Sequence, residues 1–291
     1  MSDVLFGLNV PTTAGPHTDP LVLASRAESG GFDFVSSNDH PCGTQPNYET
    51  WTMLTWIAAS TRRIRVATRV LGVPYRPPAM VAKMAESLDR LSGGRLILGL
   101  GGGYSDDEFR AFGLKVPSPA QKVEGLEDAI NIARGLWSET RFTYEGKHYQ
   151  TKDADITPKP DHAIPIWLGT FGKRALALTG RLADGWIPSL SEDASPERVP
   201  AMLETIERAA EDAGRDPSAI RRVYNLEVNL NERADSDPYL VSGSSEEVVD
   251  RLTEFAGLGF DAFNFGVVGE GLDEQLDQLS QDIFPKVLEA A

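Results

Sequence analysis

Three adjacent polar residues, Asn38, Asp39 and His40, directly follow the short stretch Phe32-Asp-Phe-Val-Ser-Ser37, which we predict to be a strand. An imidazole can give or take a proton near neutral pH, and a neighbouring carboxylate can orient it, so this triplet is suited to acid–base chemistry. A nucleophilic role for Cys42 beside His40 is disfavoured, because no nearby cation or helix terminus would activate the thiol. The ordinary alternative for this histidine is a capping or packing role.

A glycine-rich stretch, Gly99-Leu-Gly-Gly-Gly-Tyr104, interrupts an apolar run that is too short for a helix and fits a strand buried on both faces. Its first two glycines match a G-x-G-x-x-G dinucleotide fingerprint, but the third position is Tyr104. The following acidic residues, 106–108, would repel a pyrophosphate, so we reject that interpretation. Glycines there still let a ligand approach closely. The candidates for such a contact are Gly101, Gly103 and Tyr104.

A third candidate is the loop Gly169-Thr-Phe-Gly-Lys-Arg174, which opens a predicted helix with two cations in a chain otherwise dominated by acid. Cations at a helix N-terminus are unfavourable unless an anion lies among them. The free backbone N–H groups of such a terminus also attract anions. We therefore predict an anion site at this loop, with solvated surface charge as the alternative.

Composition limits the classes of partner. The chain has 291 residues and a net charge of −15, and its Lys and Arg residues form only short pairs, so nucleic acid and anionic membranes are not expected partners. The single cysteine excludes an internal disulfide framework, and the four histidines lack zinc-ligand spacing, so no metal site is expected. No leader-like N-terminus and no membrane-length apolar run is found, so we expect a soluble cytoplasmic protein.

Strands and helices alternate in the sequence pattern, and this alternation must position the three candidates. The predicted strands cover residues 5–10, 32–37, 64–71, 96–100, 164–169, 185–189, 222–230 and 262–268. A hairpin-like excursion at 141–150 precedes the fifth strand, and no shift in composition marks a linker. We predict a single (β/α)8 barrel over residues 1–291, with a doubly wound open sheet as the alternative. A barrel places its chemistry at the carboxyl ends of the strands, where all three candidates lie.

Four longer motifs occur in a fixed order: Leu88-Asp-Arg-Leu-Ser-Gly-Gly-Arg-Leu96, Gly99-Leu-Gly-Gly-Gly103, Pro165-Ile-Trp-Leu-Gly-Thr170 and Leu182-Ala-Asp-Gly-Trp186. Together they resemble the luciferase-like monooxygenase superfamily, which contains bacterial luciferase-like flavoproteins and their deazaflavin-dependent relatives. The resemblance spans nearly the whole chain. It implies a (β/α)8 barrel with an insertion before strand five, where the 141–150 excursion falls.

The resemblance also implies a flavin-type cofactor, with its ring at the mouth of the barrel and its phosphate near the loop after strand five. A non-prolyl cis peptide bond at the end of strand three would support the ring, and residues 71–73 occupy that position. The residues that would hold the cofactor are Asn38, Leu71, Gly72, Val73, Gly101, Gly103, Tyr104, Gly169, Thr170, Gly172, Lys173 and Arg174.

The family divides by cofactor. Asn38-Asp39-His40 resembles the Ser/Asn-Asp-His found in members that use coenzyme F420, a 5-deazaflavin that passes only hydride, more than the Glu-His-His of luciferase-type members. Gly180-Arg181 and Trp186-Ile-Pro-Ser189 are similar to the branch that resembles methylenetetrahydromethanopterin reductase. F420 is therefore the predicted cofactor, with FMN as the alternative. One departure is Arg76-Pro-Pro78, which stands where the family usually has Arg-His-Pro.

The predicted protein is an oxidoreductase that transfers hydride between F420 and a small organic substrate. His40 would be the catalytic proton donor or acceptor, and Asp39 would orient His40 or the cofactor. The alternatives are an FMN-dependent monooxygenase, a flavin-binding barrel without activity, and a barrel hydrolase or isomerase; the hydrolase is disfavoured because metal spacing and a G-x-S-x-G motif are missing. A homodimer is a candidate assembly. Substrate contacts are expected from the rim segments 104–112, 142–149 and 231–239.

Overall fold

Strands and helices alternate along the chain in the computed structural model, which describes residues 4–15, 19–232 and 237–290. The strands are β1 (Leu5–Asn9), β2 (Phe34–Ser37), β3 (Arg65–Thr68), β4 (Leu71–Gly72), β5 (Leu96–Gly101), β6 (Phe142–Glu145), β7 (Gln150–Ala154), β8 (Ile166–Leu168), β9 (Gly185–Trp186), β10 (Arg221–Asn229), β11 (Leu240–Ser242) and β12 (Ala262–Val267). The helices are α1 (Pro20–Ser29), α2 (Thr50–Ser60), α3 (Pro78–Ser92), α4 (Asp106–Ala111), α5 (Pro119–Ser138), α6 (Lys173–Leu182), α7 (Val199–Asp212), α8 (Ser245–Gly257), α9 (Leu272–Gln278) and α10 (Phe284–Ala290).

Parallel strands close into a ring in the order β10, β12, β1, β2, β3, β5, β8, β9, and β9 pairs back with β10. The closing contacts join Arg221 to Gly185 and Arg222 to Trp186. The short strand β4 pairs with β5 above β3, and β11 pairs with the carboxyl-terminal part of β10. A closed ring leaves no open edge, so the predicted (β/α)8 barrel is confirmed and the open doubly wound sheet is excluded.

The interior of the barrel is filled by one layer of apolar side chains. Alternate residues of a strand face opposite sides, so one set points into the ring and the other packs under the helices. Gly7 and Gly185 leave space for the two largest rings of this layer, since an added Cβ would lie 2.2 Å from the Phe34 ring and 2.3 Å from Trp167. The layer consists of Phe34, Ala67, Ile97, Trp167, Ile187, Val223 and Ala262. It closes the barrel below the carboxyl ends of the strands.

Local signals in the sequence fix several helix ends. A capping box begins α8, with the Ser244 hydroxyl accepting from the Glu247 N–H and the Glu247 carboxylate accepting from the Ser244 N–H. A π turn, Leu279–Ile283, lies between α9 and α10, just before Pro285. Helix α7 begins at Val199, after a 3₁₀ turn at Glu192–Ala194.

The predicted excursion is an antiparallel hairpin of β6 and β7, which precedes β8, the fifth strand of the ring. Two elements were not predicted, the short helix α4 and the strand β11. Among the described residues, no helix combines the length and apolar character that a bilayer crossing would need.

Candidate active site

A cavity of about 410 Å³ opens at the carboxyl ends of the strands. Its wall comes from the segments that follow β2, β3, β5, β8 and β9, as expected for a site on this fold. The residues predicted from the sequence that line it are Asn38, Asp39, His40, Gly72, Gly101, Gly103, Tyr104 and Gly169. Positions far apart in the chain therefore meet at one mouth.

His40 is held by a carboxylate that the sequence did not reveal as its partner. Its Nδ1 lies 2.9 Å from Oε1 of Glu108, in the first turn of α4, and Ser105 caps that helix by accepting from the Glu108 N–H. The imidazole is 43% exposed and the carboxylate 14%, so the ring reaches the cavity while its anchor lies behind it. A ring nitrogen bonded to a carboxylate fixes the orientation of the imidazole and leaves Nε2 as its other polar atom.

The second oxygen of Glu108 accepts a hydrogen bond of 2.6 Å from the Tyr75 hydroxyl. Burial and the contact with Glu108 raise the pKa of Tyr75 well above its ordinary value, so the hydroxyl remains a donor at neutral pH. Tyr104 completes this group with an edge-on contact to the His40 ring, at 6.4 Å between centroids. Glu108 is thus held by two side chains from different loops, which stiffens the acid–base pair.

The sequence predicted that Asp39 orients either His40 or the cofactor, and the hydrogen bonds of its carboxylate go to Arg76 and Gly72. This buried carboxylate accepts two hydrogen bonds from the Arg76 guanidinium, at 2.8 and 2.9 Å, and one of 3.0 Å from the Gly72 N–H. Burial alone would lower the pKa of Arg76, but the bonds to Asp39 and Glu49 outweigh it and raise that pKa. Asp39 therefore braces the segment after β3 against the end of β2, and orientation of His40 falls to Glu108.

The non-prolyl cis peptide bond lies between Arg69 and Val70. The sequence placed it at 71–73, so the position is corrected toward the N-terminus. Val70 borders the cavity, whereas Leu71 is buried beneath it and Val73 borders a neighbouring cavity. The predicted cofactor contacts of Leu71 and Val73 are therefore not at the wall of the main cavity.

Backbone forms much of the cavity wall opposite His40. A Cβ added to Gly101 would lie 2.6 Å from Cγ2 of Val70, and one added to Gly102 would lie 2.9 Å from Cβ of Lys122. Gly103 has φ of +88°, a conformation that side chains other than glycine rarely adopt. This wall can therefore receive a flat ligand only because side chains are missing from it.

The predicted anion loop is largely engaged elsewhere. Gly169 borders the cavity, but the Thr170 hydroxyl is buried and bonds Oγ1 of Thr179 at 2.7 Å. Arg174 is 63% exposed and lies 3.3 Å from the Glu124 carboxylate. Hydrogen bonds from His148, Lys147 and Arg174 lower the pKa of Glu124 to about 2. Gly172 caps α6 without a side chain, and Lys173 is exposed, so the structure does not bring Thr170, Gly172, Lys173 and Arg174 to the main cavity.

A second cavity of about 580 Å³ adjoins the first, and Gly102 borders both. Lys115, Lys122 and His148 line it. The Lys122 ammonium pairs with Asp106 at 2.8 Å, while Lys115 is exposed. The second cavity therefore carries two lysines, after α4 and at the start of α5, whereas the predicted cations of the loop after β8 do not line it.

The fold and the site define a (β/α)8-barrel protein with a histidine–glutamate pair beside a glycine-walled cavity. A model of the luciferase-like monooxygenase family matches residues 6–236, and the chain belongs to that family, as its motifs predicted. The F420-dependent glucose-6-phosphate dehydrogenase of Microbacterium testaceum (strain StLB037) is 28% identical over 330 residues, covering 97% of this chain and 97% of that protein.

Solved structures share the fold. An F420-dependent secondary alcohol dehydrogenase, in complex with an F420-acetone adduct, has a TM-score of 0.88 at 19% identity, covering 98% of this chain and 99% of that one. The coenzyme F420 dependent tetrahydromethanopterin reductase from Methanopyrus kandleri has a TM-score of 0.84 at 19% identity, covering 97% of this chain and 99% of that one. The barrel predicted from the sequence is thus shared along almost its full length.

Proposed function

We propose that this protein is an oxidoreductase that transfers hydride between coenzyme F420 and a small organic substrate bearing a hydroxyl or carbonyl group. The observation that carries the proposal is the His40–Glu108 pair, at 2.9 Å, on the wall of a cavity whose other side is backbone. The family and the name of the Microbacterium relative support F420 over other cofactors.

The residues present fit a flat cofactor. Gly101, Gly102 and Gly169, with Val70, form a wall that an added Cβ at Gly101 would obstruct. Bound there, F420 would supply the carbon that accepts or donates hydride. Lys115 and Lys122 in the adjoining cavity would attract the anionic part of the cofactor, in place of the predicted Lys173 and Arg174.

His40 handles the proton that accompanies hydride transfer. When an alcohol is oxidised, its C–H bond leaves with both electrons as hydride and its O–H proton must go to a base. With Nδ1 bonded to Glu108, the other ring nitrogen can take that proton, and the carboxylate stabilises the resulting imidazolium. In the reverse direction, the same nitrogen returns the proton to a carbonyl oxygen.

An FMN-dependent monooxygenase and a barrel that only binds flavin are less well supported. A paired histidine and carboxylate at the cavity wall is suited to the proton transfer that accompanies hydride transfer. A purely binding site would not need to hold an exposed imidazole through a mostly buried Glu108. Cofactor choice and turnover separate the three functions.

The wild-type protein should bind F420 more tightly than FMN, and Gly101→Ala should weaken F420 binding at least tenfold, or about 1.4 kcal/mol. The added methyl would displace Val70 into the cavity, since its Cβ would lie 2.6 Å from that side chain. Quenching of F420 fluorescence during titration measures both affinities. Gly43→Ala is the matched control, because no atom lies within 4 Å of its added Cβ.

Tight binding of FMN with weak binding of F420 would contradict the proposal and favour an FMN-dependent monooxygenase. Tight binding of F420, with no oxidation of reduced F420 or reduction of F420 across a panel of carbonyl and alcohol substrates, would favour the binding role. Equal F420 affinities of Gly101→Ala and Gly43→Ala would show that the glycine wall does not contact the cofactor.

A cytoplasmic homodimer is part of the proposal, in keeping with the single cysteine and with an apolar face on α1 and α2. Trp56 is 62% exposed and Val22 57%, exposures that favour burial against a second copy. We expect Trp56→Asp to shift the mass measured by sedimentation from dimer to monomer at micromolar concentration. A monomeric wild-type protein, or an unchanged dimer in the variant, would contradict this assembly.

A further inference from the structure

The Arg69 guanidinium lies at the mouth of the barrel and has no ionic partner among the residues that the structure describes. Its side chain borders the main cavity and also a smaller one of about 170 Å³, lined by Asn9, Asn225 and Glu227 among others. Within residues 4–15, 19–232 and 237–290, no carboxylate lies within 4 Å of this guanidinium, and its buried Nε has no hydrogen-bond partner. A buried polar group without a partner is costly, so such an atom calls for an explanation.

Two further orphaned atoms lie beside Arg69. Of the buried side-chain nitrogens and oxygens in the described ranges, those without a partner are Nε of Arg69, Oδ1 of Asn9 and Oδ1 of Asn38. The three residues occupy the carboxyl ends of neighbouring strands: Asn9 pairs in register with Ser36, while Asn38 and Arg69 directly follow the paired residues Ser37 and Thr68. One donor and two acceptors without partners therefore lie on neighbouring strand ends, with Asn38 at the main cavity, Asn9 at the small cavity and Arg69 at both.

The adjacent amides are already satisfied. Ser36 donates to Asn264 at 2.9 Å, Asn264 donates to Asn225 at 2.7 Å, and Asn225 donates to the Ile187 carbonyl at 3.4 Å. This chain of bonds fixes the wall formed by β2, β12 and β10. The three orphaned atoms take no part in this chain of hydrogen bonds, although Asn9 pairs in register with Ser36.

Other cations near this end of the barrel differ from Arg69. Arg76 pairs with Asp39, Lys122 with Asp106, and Arg174 with Glu124. Glu227 is the acidic group whose charge acts on Arg69, but it is exposed to solvent and lies beyond ion-pair distance. Burial lowers the pKa of Arg69 and the Glu227 charge opposes this, yet a guanidinium remains protonated in any case. Among the described residues, the protein therefore supplies no carboxylate within ion-pair distance of this half-buried positive charge.

The Arg69 side chain borders the main cavity, as the proposed cofactor wall does, and it also borders the small cavity, which that wall does not reach. The small cavity that it borders is formed by residues of β1, β10 and β12 and by the segment after β9, across the lumen from Gly101. Acidic groups at the outer edge of that cavity, Glu227 and Asp237, accept hydrogen bonds and do not bind anions. A ligand suited to both ends of the small cavity has an oxyanion at the Arg69 end and hydroxyls along its length toward the acidic end.

We propose that Arg69 determines substrate specificity by binding the oxyanion of a small hydroxylated substrate, whose hydroxyls donate to Asn9 and Asn38. The proposal rests on the hydride-transfer function above. The planar guanidinium matches the two oxygens of a carboxylate or phosphate, so sugar acids and sugar phosphates share the required chemistry. A neutral alcohol would leave the buried charge unpaired.

The test compares wild type, Arg69→Met and a matched surface control, Arg208→Met, whose arginine is 68% exposed and pairs with Glu204. kcat/KM is measured with F420 on gluconate, glucose 6-phosphate, glucose and 2-propanol. We expect Arg69→Met to lose about 10²-fold on the better of the two anions and less than threefold on the neutral compounds, because a charge-assisted contact is removed from the anions only. The preferred anion identifies the oxyanion as carboxylate or phosphate.

A second measurement needs no turnover. Gluconate or glucose 6-phosphate should raise the Tm of cofactor-free wild type and of Arg208→Met, but not that of Arg69→Met, by linkage of binding to stability. Equal kcat/KM ratios of anionic to neutral substrates in wild type and Arg69→Met would overturn the proposal. A loss of F420 affinity in Arg69→Met, with that ratio unchanged, would also overturn it, since Arg69 would then contact the cofactor.

The same pair of measurements distinguishes failure of the hydride-transfer function. One outcome is that no substrate is turned over with F420, while an anion stabilises wild type and not Arg69→Met. This result would support the oxyanion site and refute the hydride-transfer function. If neither anion stabilises wild type and no anion is preferred in turnover, the oxyanion site is refuted. A melting temperature of Arg69→Met close to that of wild type, without ligands, shows that the variant is folded.

Discussion

His40→Ala should bind F420 with an affinity close to that of wild type and lose roughly 10² to 10⁴ in turnover, the usual contribution of a general acid or base. His40 reaches the cavity with one nitrogen bonded to Glu108, so its loss removes the proton acceptor while the glycine wall remains intact. Fluorescence titration gives the affinity, and saturated turnover on the same preparation gives the rate. Asn at this position should not restore the rate, because an amide does not titrate near neutral pH.

Glu108→Gln tests the same pair from its other side. The amide keeps the size of the side chain and can still accept from Tyr75, but it no longer stabilises an imidazolium. We expect turnover between those of wild type and His40→Ala, and the limb of the wild-type pH profile that reports an imidazole should be absent from His40→Ala. Normal turnover in His40→Ala would refute the catalytic role, and loss of affinity in proportion to turnover would make His40 a binding contact.

The barrel could be predicted because its signals are local. Apolar runs of strand length alternate with helical stripes, and each strand of the ring pairs with the ring strand that precedes it in the chain, even across the β6–β7 hairpin. Two short elements were not predicted from the sequence, because α4 has only six residues and β11 has three. Their positions depend on tertiary contacts, which no window of sequence contains.

The residues of the site also divide into those that local sequence signals could predict and those that depend on tertiary contacts. His40 could be found because it follows a strand and histidines are few, whereas its partner Glu108 is 68 residues away and was interpreted only as a charge that repels phosphate. Arg174 looked free in the sequence because its partner, Glu124, is 50 residues distant. Arg69 looked like an ordinary strand residue. The acidic residues 106–108 beside the glycines were the available signal for Glu108. Whether such a carboxylate repels a ligand or holds a side chain depends on its partner in the fold, which the sequence does not show.

Asp39→Ala should lower the free energy of unfolding by about 3 kcal/mol, because it leaves the mostly buried Arg76 guanidinium without its bidentate partner and the Gly72 N–H without an acceptor. The Asp39 side chain is 1% exposed, so water cannot easily replace the lost oxygens. Glu49 still contacts Arg76 and limits the loss. Urea unfolding, followed by tryptophan fluorescence, measures the difference.

The double variant Asp39→Leu/Arg76→Met tests whether Asp39 acts only by pairing with Arg76 or also takes part in catalysis. Replacing both members of a buried pair by apolar side chains costs far less than breaking it, so most of the stability should return. Glu49 would keep its cap on α2, where it accepts from the Trp51 and Thr52 N–H groups. If Asp39 acts only through this brace, turnover should recover with stability in the double variant. A double variant as stable as wild type but as inactive as His40→Ala would instead place Asp39 in the chemistry, as the sequence first suggested.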